Sequence, residues 1–273
     1  MEIFVLKSDE VAAITRGTHG NPHHILGMHQ CLNDCYVNAY LPRATAAFVL
    51  RINEETGEPI FKYPMTEIGS QGFFTVKIEE SGAFAYKLIT EGEQAAEFYD
   101  PYSFGYSVDP VDVMKVVNGD DGILSDFHVK DLFGARQITL DGVQGVSFCM
   151  NMPGATRVSV VGDFNGWDGR VNPMRRIDYT DMFELFIPGD LMNTRYKFEA
   201  LYRDGNTDIF ADPYAEVYEV APGNASVLAK LEYSWSDSSY MKKRGSASAP
   251  VNIYEVHMPT WKRNSDGAPL NYL

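Results

Sequence analysis

The hydrophobic and polar residues in the first half of the chain alternate with the two-residue period of β-strands. Short apolar runs, separated by clusters of turn-forming residues, occupy residues 36–41, 47–52, 72–78 and 83–90. Runs of this length and spacing, without helical periodicity between them, predict a β-sandwich or a barrel. In the last run, alternation predicts that Tyr86 and Leu88 point into the core and that Lys87 points toward solvent.

The same pattern recurs in the second half of the chain, with its landmarks in the same order and at a nearly constant spacing. The matching segments are 41–44 and 152–155, 72–76 and 182–186, 85–88 and 195–198, and 100–102 and 212–214. We therefore predict two copies of one sandwich, each of roughly a hundred residues. In the second copy, Tyr196 and Phe198 should face the core, and Lys197 should lie on a solvated strand face.

One loop distinguishes the second copy from the first. After a valine-rich run that predicts a buried strand, the sequence continues as Gly162-Asp163-Phe164-Asn165-Gly166-Trp167. The two glycines predict a tight loop, because glycine adopts positive φ at little steric cost. Trp167 is either a plug for the end of the sandwich or a platform for the flat apolar face of a ligand. The first copy has no aromatic residue at the corresponding place, and this difference favours the platform.

The two ends of the chain carry different patterns. Residues 1–18 predict a short helix that is capped by Ser8. Residues 234–249 are rich in Ser, Lys and Gly, a composition typical of a linker. An apolar alternating run begins again at residues 251–257. Since one strand does not fold alone, we interpret this run as the opening of a third domain.

The charge of the chain argues against several classes of partner. The formal net charge of −14 disfavours nucleic acid and anionic membrane surfaces, because both are bound through clustered Lys and Arg. We predict no nucleic acid and no membrane as partners. The sequence shows no secretion signal and no stretch that approaches a membrane span, so we expect a cytoplasmic location.

Motifs for metal binding and for common catalytic sites are weak or missing. Cys31, Cys35 and Cys149 cannot all pair, and they are too few for a disulfide framework. Cys31 and Cys35 lie near four histidines, but their spacing fits no familiar zinc pattern, so a metal site is the less favoured alternative. We predict no metal and no cofactor. The sequence also lacks a serine elbow, a phosphate-binding loop and an HExxH helix.

Carbohydrate binding makes lighter demands on a sequence than catalysis does. A sugar ring presents a face of C–H groups that stacks on an indole, and its hydroxyls pair with donors and acceptors such as Lys ammonium and Asn amide groups. Such a surface needs no net positive charge, so it suits this acidic chain.

Several of these motifs resemble a known family. Residues 158–169 resemble the glycogen-binding type of carbohydrate-binding module, family 48. Further segments are similar to the corresponding module of bacterial glycogen branching enzymes, at residues 172–175, 183–189, 196–199 and 212–215. The run 253–257, with Trp261 after it, resembles the opening of the catalytic barrel in those enzymes. Residues 24–29 resemble a Leu-Gly-x-His signature of the extra N-terminal module in the longer branching enzymes.

The pattern and the resemblance together predict an all-β fold class. We expect two tandem immunoglobulin-like β-sandwiches with short helical N-terminal and linker segments, plus the orphan first strand of a (β/α)8 barrel. The predicted divisions are a helical segment at 1–18, a first sandwich at 19–125, a linker at 126–138, a second sandwich at 139–233, a linker at 234–250 and the start of a truncated catalytic barrel at 251–273.

The resemblance also implies an activity for the whole enzyme and a binding site in this chain. The activity is 1,4-α-glucan branching by a retaining two-carboxylate mechanism, whose catalytic residues lie beyond this sequence, so we expect the chain alone to be inert. The resemblance implies that Trp167, Lys197 and Asn224 contact an α-glucan such as glycogen or a maltooligosaccharide, with a catalytic barrel as partner domain. Related modules add a second Trp after the turn at 204–207, and this sequence lacks it.

Three hypotheses remain open on the sequence. The chain is the N-terminal region of a branching enzyme, or a free-standing glucan-binding protein that recruits a partner, or a structural module that packs on a barrel and binds no sugar usefully. The barrel-like run near the end favours the first hypothesis. Binding to glycogen separates the second from the third.

Overall fold

The computed structural model of the chain describes residues 6–31, 33–69, 71–93, 95–118, 132–229, 234–242 and 253–269. Contacts between residues divide the chain into two units, 1–231 and 232–273. The described strands lie in the first unit and form two antiparallel β-sandwiches in tandem. The predicted all-β class is therefore confirmed.

The first sandwich consists of two four-stranded sheets. Its strands are β1 (Gly27–Cys31), β2 (Asp34–Tyr40), β3 (Ala44–Ile52), β4 (Pro59–Pro64), β5 (Thr66–Ile68), β6 (Phe73–Ile78), β7 (Tyr86–Gly92) and β8 (Ala96–Tyr99). One sheet has the order β1-β2-β6-β5, and the other has the order β4-β3-β7-β8. Tyr86 and Leu88 are buried between them with Val37 and Val49, as alternation predicts.

The second sandwich repeats this arrangement. Its strands are β9 (Gly134–Leu140), β10 (Val143–Asn151), β11 (Ala155–Gly162), β12 (Arg175–Arg176), β13 (Met182–Pro188), β14 (Arg195–Tyr202), β15 (Thr207–Phe210), β16 (Val217–Tyr218) and β17 (Ser226–Val227). The sheets have the orders β12-β13-β10-β9 and β11-β14-β17-β16, and β15 pairs with β14. Phe148, Val160, Phe183, Tyr196 and Phe198 are fully buried between the sheets.

The sequence repeat corresponds to a repeated hydrogen bond in the structure. The Tyr86 hydroxyl donates to Asp100 Oδ2 at 2.6 Å, and the Tyr196 hydroxyl donates to Asp212 Oδ2 at 2.6 Å. In both copies the other carboxylate oxygen accepts a backbone N–H two residues further on, at 2.9 and 2.8 Å. Burial raises the pKa of both carboxyl groups, that of Asp100 to about 6. Each buried carboxylate therefore depends on its tyrosine for solvation.

We expect Tyr86→Phe and Tyr196→Phe to destabilise the protein by similar amounts at pH 8. Each change removes a hydrogen bond to a charged group, which contributes about 1.5–3 kcal/mol. Denaturant unfolding of the two variants measures the loss. The control is Tyr179→Phe, because the Tyr179 side chain is fully exposed. A large loss in one variant and none in the other would contradict the equivalence of the two copies.

The two sandwiches touch directly within the first unit. The rings of Phe104 and Phe186 lie 4.9 Å apart between centroids, edge to face. The Tyr102 hydroxyl lies 3.2 Å from the carbonyl oxygens of both Val171 and Pro173 and donates to them. These contacts fix the first sandwich against the second, which positions the loop described below.

A buried carboxylate on β13 belongs to the same junction. The side chain of Glu184 is completely buried, pairs with Arg175, and accepts the backbone N–H of Ser107 at 3.0 Å. Helix α2 (Pro110–Asn118) follows this contact and packs Val113 against the outer side of the sheet that contains β13. Both faces of that sheet are therefore covered.

Several local features differ from the sequence-based predictions. Helix α1 (Ser8–Arg16) begins at Ser8, the cap position is Lys7, and no side chain caps the helix, so the prediction for Ser8 is wrong. Strands β4 and β5 were not predicted, because they are almost entirely exposed and have no buried face to produce alternation. Strand β9 begins at Gly134, inside the predicted linker, and residues 119–131 lie outside the described residues.

The predicted barrel strand is not a strand in this structure. Residues 253–257 form no β pairing, and Ile253 and Tyr254 are 89% and 74% exposed. A strand requires a neighbour to satisfy its backbone hydrogen bonds, and none of the described residues supplies one. The described residues of the second unit instead form two short helices, α3 (Ser238–Met241) and α4 (Met258–Trp261).

Membrane-spanning helices and clusters of metal-ligating side chains are both absent from the described residues. None of the helices in these ranges is long and apolar enough to cross a membrane. No group of three or more His, Cys, Asp or Glu side chains gathers there as metal ligands. Cys31, Cys35 and Cys149 are free thiols, and the last two are buried.

Candidate functional site

The loop that follows β11 is organised by one buried amide. Asn165 Oδ1 accepts the backbone N–H of Gly162 at 2.9 Å and that of Trp167 at 3.2 Å. Its Nδ2 donates to the carbonyl oxygen of Val160 at 2.8 Å. Asn165 therefore ties the loop to the strand before it and fixes where Trp167 begins.

The two glycines of this loop are required for different reasons. Gly166 has φ 64°, in the left-handed region that favours glycine. Gly162 has extended backbone, so the prediction of positive φ is wrong for this residue. A Cβ at Gly162 would collide with the carbonyl oxygen of Arg195, because β11 and β14 approach closely there. A Cβ at Gly166 would collide with the guanidinium of Arg43 from the first sandwich.

Trp167 and Phe164 take opposite sides of the loop. Phe164 packs against the core of the second sandwich. Trp167 is 38% exposed, and its indole Nε1 donates to Asp163 Oδ1 at 3.2 Å. Trp167 also has a φ of 63°, which is uncommon for a bulky residue. Phe164 thus fills the end of the sandwich, and the indole of Trp167 is held at the surface.

Arg195 connects this loop to the rest of the sheet. Its Nε and Nη2 donate to the two carboxylate oxygens of Asp163 at 2.9 Å each, and its backbone N–H donates to Asp163 at 3.0 Å. Its Nη1 donates to Glu219 at 3.2 Å. The hydrogen bonds from Arg195 lower the pKa of Asp163. Both carboxylates are therefore ionised near neutral pH, and the surface carries paired charges.

Lys197 and Asn224 are in direct contact. Lys197 lies on the same face of β14 as Arg195, and its Nζ donates to Asn224 Oδ1 at 2.6 Å. The adjacent turn is held by Glu219, whose Oε2 accepts the backbone N–H of Ala225 at 3.0 Å. This backbone hydrogen bond, together with Arg195, lowers the pKa of Glu219. The turn that carries Asn224 is thereby fixed to strand β14.

Of the three residues expected to bind glucan, two are in direct contact and the third is not. Lys197 and Asn224 share a hydrogen bond, whereas Trp167 reaches β14 only through Asp163 and Arg195. The sequence-based reasoning missed Asp163 and Arg195. Alternation along β14 could have found Arg195, since it places that residue on the exposed face two positions before Lys197.

The exposed surface formed by Trp167, Asp163, Arg195, Lys197 and Asn224 is called here the Trp167 surface. It combines one apolar ring face with fixed donors and acceptors. Its two carboxylates are neutralised by arginine rather than positioned for proton transfer. An apolar ring face beside hydrogen-bond donors and acceptors is the chemistry that recognition of a neutral polyhydroxyl ligand requires.

The fold defines the class of the protein as a chain with two tandem β-sandwiches. Residues 7–102 match the family model for alpha-1,4-glucan branching enzyme GlgB, N-terminal domain. Residues 132–215 match Carbohydrate-binding module 48 (Isoamylase N-terminal domain). The chain therefore contains the N-terminal domain of the branching-enzyme family, followed by a family 48 carbohydrate-binding module.

Curated relatives agree with this assignment. The 1,4-alpha-glucan branching enzymes GlgB of Paramagnetospirillum magneticum and Rhodospirillum rubrum are both 36% identical to this chain, over 98% and 97% of its length. The enzyme of Rubrobacter xylanophilus is 33% identical over 97% of the chain. In all three cases the chain spans 36% of the relative's length.

Similarity to solved structures is weaker. Pullulanase type I from Bacillus subtilis, complexed with maltose, aligns with 81% of this chain and 27% of its own chain. The identity is 14% and the TM-score is 0.32, which is too low to bear on the fold.

Proposed function

We propose that this chain is the glucan-binding part of a 1,4-α-glucan branching enzyme and that its Trp167 surface holds the α-glucan. The observation that carries the proposal is the exposed indole of Trp167, fixed by Asp163 on the same sheet as the Lys197–Asn224 pair. In the whole protein a catalytic barrel would act on the glucan held nearby. The proposal places the protein in the cytoplasm, the location expected from the sequence.

The geometry suggests how a glucan chain would be held. A glucosyl ring stacks its C–H face on the exposed face of Trp167. The Lys197 ammonium has three donors and uses one on Asn224, so it can donate to a sugar hydroxyl as well. The Asn224 amide nitrogen is available for the same purpose. The fixed side chains lose little conformational freedom on binding, which favours affinity.

We expect Trp167→Ala to weaken binding of maltoheptaose and retention on glycogen by roughly tenfold or more, since a contribution of 1.4 kcal/mol corresponds to tenfold. Calorimetric titration and glycogen affinity electrophoresis measure the change. Trp235→Ala is the matched control, because Trp235 is an exposed tryptophan in the second unit. Unchanged binding by folded Trp167→Ala would reject this surface as the glucan site.

A further inference from the structure

A cavity of about 300 Å³ lies between the two sandwiches, behind the Trp167 loop. The first sandwich contributes the end of β2, the start of β3 and strand β8. The second sandwich contributes the inner side of the loop and the end of β13. The residues that matter to its chemistry are Tyr40, Arg43, Phe98, Tyr99, Phe164 and Asn172. We call this cavity the inter-sandwich cleft.

Two buried polar side chains in the cleft lack a protein partner for one of their groups. Asn172 is only 7% exposed, and its Oδ1 accepts a hydrogen bond from Asn165 Nδ2 at 2.9 Å. Its own Nδ2 donates to none of the described residues. Tyr40 is 4% exposed, and its hydroxyl forms no hydrogen bond with any described residue. Neither group is fully enclosed by protein, so each is available to a hydrogen-bonding occupant of the cavity.

The remaining walls of the cleft are mostly aliphatic side chains and prolines, and they include three aromatic residues. Phe98 and Tyr99 lie on one side, and Phe164 lies on the other. Phe98 and Tyr99 are consecutive on β8, so at most one of them turns its ring into the cleft. An aromatic ring suits the C–H surface of a sugar. The volume is at the lower end of the range for small-ligand pockets, about 300 to 1,000 Å³, so it is large enough for only a short ligand.

The charge in the cleft favours a neutral ligand over an anion. Arg43 is the cation that lines it, and the carboxylate of Asp168 lies close enough for Arg43 to contribute to lowering the Asp168 pKa. Asp168 also forms a two-pronged pair with Arg170, at 2.9 and 2.7 Å. A phosphate in the cleft would therefore meet a cation whose charge is already opposed.

We propose that the inter-sandwich cleft is a second carbohydrate site, which takes one or two glucosyl units of a short maltooligosaccharide. Sugar hydroxyls would accept from Asn172 Nδ2 and exchange hydrogen bonds with the Tyr40 hydroxyl. The choice of sugar rests on the proposed function, whereas the cavity and its unpaired groups do not. An occupant bound to Asn172 would be connected to the loop that presents Trp167, because Asn172 accepts a hydrogen bond from Asn165 and Asn165 accepts one from the Trp167 backbone N–H.

The test is a calorimetric titration with maltotriose of the full chain, of four single variants, and of the two double variants that add Ala96→Phe or Tyr40→Phe to Trp167→Ala. Trp167→Ala removes the Trp167 surface and leaves the cleft. Ala96→Phe blocks the cleft, because Ala96 is an exposed residue at its rim on the edge strand β8. Tyr40→Phe removes only the unpaired hydroxyl. Tyr179→Phe is the matched control, since it removes a hydroxyl that is fully exposed elsewhere.

We expect two binding sites in the natural chain and one in Trp167→Ala. That remaining site should vanish when Ala96→Phe is added, and Tyr40→Phe should weaken it about five- to tenfold, as expected for loss of one hydrogen bond. Tyr179→Phe should change nothing. Circular dichroism and thermal unfolding confirm that each variant is folded.

Other outcomes distinguish the cleft site from glucan binding by the Trp167 surface. If Trp167→Ala loses all binding, the cleft holds only water and the inference is overturned, while the proposed function stands. If Ala96→Phe loses all binding and Trp167→Ala loses none, the cleft site stands and the Trp167 surface is rejected. Binding that survives both changes together, binding of glucose 1-phosphate in place of maltotriose, or no binding at all overturns the inference.

Discussion

Replacing Arg175 by Met is expected to lower the free energy of unfolding by about 3–5 kcal/mol, because it leaves the charge of Glu184 buried without its partner. Glu184 is completely buried, and the Arg175 side chain is only 12% exposed. The backbone N–H of Ser107 would remain as a donor to the carboxylate, but it supplies no full charge. Denaturant unfolding at pH 7 measures the change.

The neighbouring arginine supplies the control for this prediction. Arg176 pairs with Asp181, and both side chains are at least 40% exposed, so Arg176→Met should cost less than about 1 kcal/mol. The double variant Arg175→Met, Glu184→Met should recover most of the loss, because it removes the buried charge together with its partner. Equal losses in the two single variants would show that burial of Glu184 does not determine the effect.

Acid should destabilise the junction between the sandwiches through His23. Burial, and secondly the positive charge of Arg175, lower the pKa of His23 from 6.5 to about 3. Its buried Nδ1 has no hydrogen-bond partner among the described residues, and its ring lies 5.0 Å from that of Tyr102. Because the unfolded chain binds this proton more readily, stability falls as pH decreases from about 6.5 to about 3, by an amount on the order of 4 kcal/mol.

Asp100 acts in the opposite direction over part of the same range. Its pKa is about 6 in the folded protein and 3.8 ordinarily, so its contribution to stability increases as pH falls from about 6 to about 4.

The variant His23→Phe tests the role of His23, because it keeps an aromatic ring and removes the titrating imidazole. Unfolding free energies measured from pH 7 to pH 4 should therefore fall less with acid in His23→Phe than in the natural chain. Parallel pH profiles for His23→Phe and the natural chain would contradict the role of His23.

The sequence predicts those parts of the fold in which one strand face is buried. Strands β7 and β14 alternate clearly, and the two tyrosine–aspartate contacts explain why the repeat is visible in the sequence. Strand β4 is exposed along almost its whole length, so no periodicity marks it. The run 253–257 has strand-like alternation but no neighbouring strand among the described residues, and alternation alone does not supply one.

The candidate site could be predicted only in part, because some of its contacts join residues that are distant in the sequence. Trp167 and Lys197 belong to recognisable motifs, and Lys197 also follows from alternation. The pair formed by Asp163 and Arg195 joins residues far apart in the sequence, so it depends on the register of β11 against β14. The inter-sandwich cleft depends on how two separate cores are oriented, and no local pattern encodes that.

The contact between Phe104 and Phe186 limits how this chain could be divided in protein engineering. A carbohydrate-binding sandwich is attractive as a portable affinity tag, and a cut before β9 is the obvious place to excise it. Such a cut would remove Phe104, which packs against Phe186, and Ser107, whose backbone N–H donates to Glu184. It would also remove the arginine that lies against Gly166. A useful tag from this chain would therefore have to be transplanted as the whole pair of sandwiches.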